Sequence, residues 1–153
     1  MTPYFAYGSN MSRPHMERRC PTAAAIGRAR LEGWRFIVTL DGFASVVPAP
    51  GAVVHGVLWR LSARDLAALN AYESLDSGLY GRRILPVRAG DRIVAATVYV
   101  GRERRPGQPR PGYQRVLVAA AREWRLPERY VRSLERWGQP FGGTRGVEVG
   151  EAR

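Results

Sequence analysis

The chain has 153 residues, 45% of them hydrophobic, a length and balance that suit one domain with its own core. Its longest apolar runs, such as Ile93 to Val100, are too short to span a bilayer, and its single cysteine, Cys20, excludes an internal disulfide and a thiolate metal cage. The formal net charge is +11, and every Lys/Arg position is arginine.

Thr2 to Tyr7 is short, apolar and aromatic and reads as a strand, broken by Gly8-Ser9-Asn10. Thr2 to Met11 carries no basic residue and no uninterrupted apolar segment, so no signal peptide is expected and the cytoplasm is the expected location. Ser12 can cap a short helix with Pro14 in its first turn, ended by Pro21. Ala23 to Leu31 and Trp34 to Leu40 read as two strands, the second followed by the turn signal Asp41-Gly42. Phe43 to Val47 and Val53 to Leu61 read as two more, separated by Pro48, Pro50 and Gly51.

Ser62 followed by Asp65 resembles a capping box and opens a helix to about Glu73. Tyr80 to Val87 and Arg92 to Val100 form a predicted hairpin, and Gly101 to Gly112 a loop without periodicity. Two amphipathic helices close the domain. Tyr113 to Trp124 turns Val116, Leu117, Ala120, Ala121 and Trp124 to one face, and the helix after Pro127 turns in Tyr130, Val131, Leu134 and Trp137. Residues 1–137 are expected to form the domain and 138–153, rich in glycine, a loose tail. Strands come mostly before helices, which predicts an α+β domain built on a curved mixed or antiparallel sheet, barrel-like, with flanking helices.

Two features carry chemistry. Glu73 stands seven residues after Leu66 and four after Leu69, which places its carboxylate on the inward stripe of the helix. Withdrawal from water disfavours the charged form, so such a carboxyl is expected to exchange protons near neutrality. A helix-end glutamate paired with Arg82 or Arg83 is the competing reading, and spacing does not separate the two. The second feature is Tyr4-Phe5-Ala6-Tyr7-Gly8-Ser9-Asn10-Met11, a strand that ends in Gly8-Ser9-Asn10 just before a helix. Backbone N–H groups gathered there can hold a carboxylate or an oxyanion, although from the tripeptide alone a plain turn is the commoner meaning.

Other candidates are weaker. His15 and His55 lack ligand spacing, and Cys20 before Pro21 reads as a small apolar residue rather than half of a thiol–histidine pair. No phosphate-loop or dinucleotide pattern occurs, so no nucleotide cofactor is implied. The arginines are scattered; the densest group, Arg102, Arg104, Arg105 and Arg110, sits among prolines without interleaved aromatics. A compositional bias therefore accounts for the charge better than a nucleic-acid partner does.

Taken together, Tyr7-Gly8-Ser9-Asn10 after an apolar strand, Gly56-Val57-Leu58-Trp59 leading into a helix, Glu73, Tyr80 seven residues on, and Tyr113 after the proline-rich loop resemble the gamma-glutamylcyclotransferase family. The resemblance runs from about Tyr4 to Leu134. It implies a small gamma-glutamyl substrate cyclised to 5-oxoproline with release of an amine or amino acid, without metal or cofactor. Glu73 would be the acid/base catalyst, with Tyr7, Gly8, Ser9, Asn10, Tyr80 and Tyr113 around the substrate. A gamma-glutamylamine cyclotransferase or a tailoring enzyme that removes a gamma-glutamyl group shares this chemistry. A catalytically idle module binding a small anion or nucleic acid is the alternative of another class. Met11, Ser74 and Gly81 depart from the common pattern, and the changes at 74 and 81 bear on substrate identity more than on mechanism. Neither the leaving group nor the oligomeric state follows from the sequence.

Overall fold

A computed structural model describes residues 1–73 and 78–137; the predicted tail and Ser74 lie outside the described residues. Five strands close into a barrel: β1 (Thr2–Ala6), β2 (Ala24–Val38), β3 (Ala44–Leu61), β4 (Tyr80–Ala89) and β5 (Arg92–Gly101), in the spatial order β1-β3-β2-β4-β5. All neighbours are antiparallel except β1 and β5, which meet in parallel at Tyr4 and Thr97 and complete the closure. The sheet is therefore mixed, and the α+β barrel-like expectation agrees with the structure.

Four helices surround the barrel: α1 (Arg13–Arg19), α2 (Ala63–Tyr72), α3 (Tyr113–Glu123) and α4 (Glu128–Arg136). Phe5, Leu31, Val46, Val54, Leu58 and Val98 fill the barrel core, while Leu117, Ala120, Ala121, Val131 and Leu134 bury the inner faces of α3 and α4. Gly56 is required where β1 crosses β3, because a Cβ there would stand 2.3 Å from the Ala6 carbonyl oxygen and 2.9 Å from the Phe5 ring.

The strand reading needs two corrections. The segments predicted as Ala23–Leu31 and Trp34–Leu40 are one strand, β2, and Phe43–Val47 and Val53–Leu61 are one strand, β3. Glu32 pairs with Val53 and Trp34 with Pro48, so the residues between them leave the ladder at a shared irregularity. Pro48 and Pro50 are exposed at that point, and Pro50 lies among the unpaired residues, where no ladder bond is asked of its missing N–H. Gly33 and Gly51 take the positive φ angles (87° and 86°) that bend the two strands together. The breaker residues curve a long hairpin rather than end it.

The cap of α2 also differs from the box motif. Ser62 Oγ accepts from the Asp65 N–H at 3.1 Å, as expected. The buried Asp65 carboxylate, however, accepts from the Thr22 N–H at 3.1 Å and the Thr22 hydroxyl at 2.6 Å. That ties α2 to the segment between α1 and β2, and it sets the direction in which the far end of α2 points. Among the described residues no helix is long and apolar enough to cross a membrane.

Candidate active site

Leu69, fully buried, anchors the inner face of α2, and four residues later Glu73 forms the helix C-cap on the same side. At the other end of the site, β1 runs out at Ala6 and the chain makes a single 3₁₀ turn over Ser9–Met11 before α1. The carbonyl groups of this turn are all occupied. Gly8 accepts from Met11 N–H (3.0 Å) and Ser9 from Ser12 N–H (3.0 Å). Asn10 accepts from the Trp59 indole (3.1 Å) and Met11 from the Trp124 indole (2.8 Å). The two indoles meet edge to face at 6.0 Å, so β3 and α3 together clamp the turn. Among the described residues the amides of Gly8, Ser9 and Asn10 have no hydrogen-bond partner.

These two elements share a cavity of about 310 Å³, open to solvent on one side. All seven residues singled out in the sequence line it: Tyr7, Gly8, Ser9, Asn10, Glu73, Tyr80 and Tyr113. So do Tyr4, Tyr72, Tyr99, Phe43, Ala44 and Leu79, which sequence reasoning did not assign to the site. Tyr99 lies inside the apolar run Ile93 to Val100, where nothing in the sequence sets it apart. Its place beside Tyr4, ring centroids 5.8 Å apart, follows from the parallel closure of β1 on β5, which no local pattern announces.

Glu73 is largely withdrawn from water, and burial pushes its carboxyl up to about 7, against a smaller downward pull from the Arg19 guanidinium. Among the described residues no ion pair reaches Glu73. Arg83 lies over the Trp34 ring at 5.5 Å and Arg82 is exposed, so the pairing read as an alternative from the sequence is not formed. Arg19 is the charged residue that sequence reasoning missed. A last-turn arginine on a helix has an ordinary explanation in the helix dipole, so its position alone carries no functional signal.

The tyrosine hydroxyls are polarised in two senses. Tyr7 donates its proton to the Tyr99 carbonyl and Tyr80 donates to the Ala44 carbonyl at 2.6 Å, leaving both oxygens with lone pairs to offer. Tyr113 instead accepts from the Ala44 N–H at 3.1 Å, so its own proton remains available to donate. Burial raises all three well above the ordinary phenol range, Tyr113 to about 12, and they stay neutral at working pH. Gly8 is packed closely here: a Cβ would lie 3.2 Å from the Tyr113 hydroxyl and 3.2 Å from the Ala44 side chain.

The weaker candidates fall away on geometry. Cys20 donates to the Asp65 carbonyl at 3.7 Å, and burial pushes its thiol up to about 11, the wrong direction for a nucleophile. His15 faces Ser12 Oγ at 3.0 Å, and His55 packs against the Tyr130 ring at 4.9 Å. Among the described residues no group of three His, Cys, Asp or Glu could hold a metal ion. A second cleft of about 380 Å³, between Phe36, Tyr130 and Trp137, is lined among the described residues by none of the predicted site residues and by no carboxyl.

The frame is a closed mixed barrel with one cavity lined both by a carboxyl that burial raises to about 7 and by the turn Gly8–Asn10. Comparison with known proteins gives that frame a family. The model of the family "Gamma-glutamyl cyclotransferase, AIG2-like" matches residues 4–126. A mouse gamma-glutamylcyclotransferase is 30% identical over 148 residues, covering 86% of this chain and 76% of the relative. The human gamma-glutamylcyclotransferase is 27% identical over 143 residues, with the same shares covered. A solved gamma-glutamyl cyclotransferase structure superposes with a TM-score of 0.84 at 25% identity, covering 94% of this chain and 91% of that one. The chain belongs to the gamma-glutamyl cyclotransferase, AIG2-like family.

Proposed function

We propose that the protein cyclises a gamma-glutamyl group to 5-oxoproline and releases the attached amine or amino acid, with Glu73 as general base and then general acid. The observation that carries this reading is the shared cavity: a carboxyl raised to about 7 faces the turn Gly8–Asn10 across a space of substrate size. Family membership supports the reaction class, because the relatives named above carry that activity in their names.

The chemistry follows from what each group has left to give. The substrate's α-ammonium loses a proton to the ionised Glu73 carboxylate, and the freed amine attacks the substrate's own γ-carbonyl carbon. A C–N bond forms and closes a five-membered ring, and the carbonyl oxygen becomes an oxyanion. Glu73 returns the proton to the leaving nitrogen as the oxyanion collapses and the γ-C–N bond breaks, and its regenerated carboxylate then takes the surplus proton of the ring nitrogen and passes it to the released amine, leaving a neutral lactam and an ammonium. Nucleophile and electrophile belong to one molecule, so holding the folded conformer supplies much of the acceleration.

Tyr7 and Tyr80 offer lone pairs and suit the ammonium end of the substrate. Tyr113 offers a proton and suits a carboxylate or the developing oxyanion; Gly8 packs against it, and the amides of Gly8, Ser9 and Asn10 would be further donors in the same cavity. The proton relay is complete with one carboxyl, and the proposal includes no metal or cofactor. An idle anion-binding module would favour a clamped, permanently ionised carboxylate, and the raised Glu73 argues against that arrangement.

The test is a panel of gamma-glutamyl amino acids, gamma-glutamyl amines and glutathione, with 5-oxoproline quantified by chromatography. Release of 5-oxoproline from at least one of them is expected, and the preferred member separates the cyclotransferase from its amine-specific and tailoring relatives. No 5-oxoproline from any of them would defeat the proposal.

A further inference from the structure

Arg19 closes α1 and is half-buried beside the cavity. It makes three contacts. One Nη donates to the Ser9 hydroxyl at 3.2 Å and to Asn10 Oδ1. Its guanidinium carbon lies 3.8 Å from the centre of the Tyr72 ring, the residue directly before Glu73. The first two contacts belong to the amide-bearing turn, and the third belongs to the end of α2. Asn10 is thereby held at both ends of its side chain, because its Nδ2 donates to the Tyr4 hydroxyl at 3.0 Å. Arg19 thus bonds the turn and stacks on the residue before Glu73 at once.

We infer that Arg19 is a positioning residue that braces the Ser9–Asn10 turn against the C-terminal end of α2, and so holds the two halves of the site at working distance. The inference rests on the reading of Glu73 as the acid/base group. A planar guanidinium suits this task because it bonds in its plane and stacks on its face at once, which an ammonium does not do.

The brace also carries charge. Arg19 draws the Glu73 carboxyl down while burial pushes it up. The other titratable groups facing Glu73 are phenols: Tyr4 from β1, Tyr7 just after it, Tyr80 from β4, Tyr99 from β5 and Tyr113 from α3, all raised by burial and neutral through the assay range. The Tyr72 phenol adjoins Glu73 at the end of α2. Among the described residues Arg19 is therefore the one full charge that moves Glu73. Removing it raises the carboxyl further and shrinks the ionised fraction at a given pH.

The test uses Arg19→Gln and Arg19→Lys in the full chain. The Glu73 carboxyl is titrated by ¹³C NMR, assigned by its loss in Glu73→Gln, and the pH dependence of kcat/KM is measured on the best substrate of the panel. In Arg19→Gln the midpoint is expected to rise by about one pH unit, as for loss of a nearby opposite charge, and the acidic limb of kcat/KM to move with it. Arg19→Lys keeps the charge and loses the fork and the stack. Its midpoint is expected to stay at the wild-type value while kcat falls about 10-fold, as misplacement of a reacting group predicts.

An unmoved midpoint in Arg19→Gln, or wild-type kcat in Arg19→Lys, would overturn the inference. Should Arg19→Gln fail to fold, the kcat and midpoint of Arg19→Lys decide. The titration needs no turnover, so a wild-type protein that makes no 5-oxoproline would sink the proposed function and still leave the NMR result to judge the electrostatic claim.

Discussion

Replacing Glu73 by glutamine separates the cost of the site from its use. The wild-type carboxyl moves from an ordinary 4.5 to about 7 on folding. Such a displacement corresponds to roughly 3 kcal/mol of preference for the protonated form. The sign follows from the folded pKa lying above the unfolded one. Below about pH 4.5 the group is protonated in both states and carries no charge penalty. As pH rises the unfolded chain ionises freely while the folded chain resists, and the penalty is complete above about pH 7. Glutamine keeps the size and polarity and never ionises. Urea denaturation of wild type and Glu73→Gln at about pH 4 and about pH 8.5 is therefore expected to show a stability gap that shifts in favour of the variant by roughly 3 kcal/mol on going to the higher pH. The difference of differences matters, because it cancels any constant effect of the substitution. A gap that stays flat across the two conditions would refute the reasoning, since it would mean that the carboxyl ionises as easily in the cavity as in water.

Three further outcomes follow from the same geometry. The kcat/KM of the wild-type enzyme should fall as pH drops through about 7, the point where Glu73 takes up its proton; an acidic limb centred near 4.5 would contradict the assigned base. Gly8→Ala places a Cβ 3.2 Å from both the Tyr113 hydroxyl and Ala44. We expect a raised KM with the melting temperature little changed, read by steady-state kinetics beside a thermal melt. Gly56→Ala, by contrast, drives a Cβ to 2.3 Å from the Ala6 carbonyl and 2.9 Å from the Phe5 ring, a clash within the barrel wall. It should lower stability by roughly 1–3 kcal/mol or more, as overpacking does, measured by urea denaturation.

Legibility in the sequence divided along the range of the interactions. Glu73 was readable because its position relative to Leu66 and Leu69 is a matter of helical period, and the same holds for the buried faces of α3 and α4. The turn Gly8-Ser9-Asn10 was readable because a breaker directly after an apolar strand is a local event. Arg19 was hidden because its partners, Ser9, Asn10 and Tyr72, come together only when the barrel and α2 are in place. Tyr4 and Tyr99 meet for the same reason. The strand count erred at Gly33 and Pro48, where a local breaker signal describes equally well a loop and a bend in a long hairpin. Pairing of β2 with β3 over nearly their full length decided between them. Asp65 was placed correctly at the start of α2, but the partner of its buried carboxylate, Thr22, lies across the fold, and only the tertiary structure shows it.

The central claim is that one desolvated carboxyl moves the proton in a ring-closing reaction within the Tyr7–Asn10 and Glu73 cavity. Its most direct test is the rate of 5-oxoproline release by wild type and Glu73→Gln, alongside calorimetric binding of the same substrate to both. The account predicts a loss of about 10²–10⁴-fold or more in kcat, the range for a missing general acid/base, with binding retained. Substantial 5-oxoproline release by the glutamine variant would contradict it.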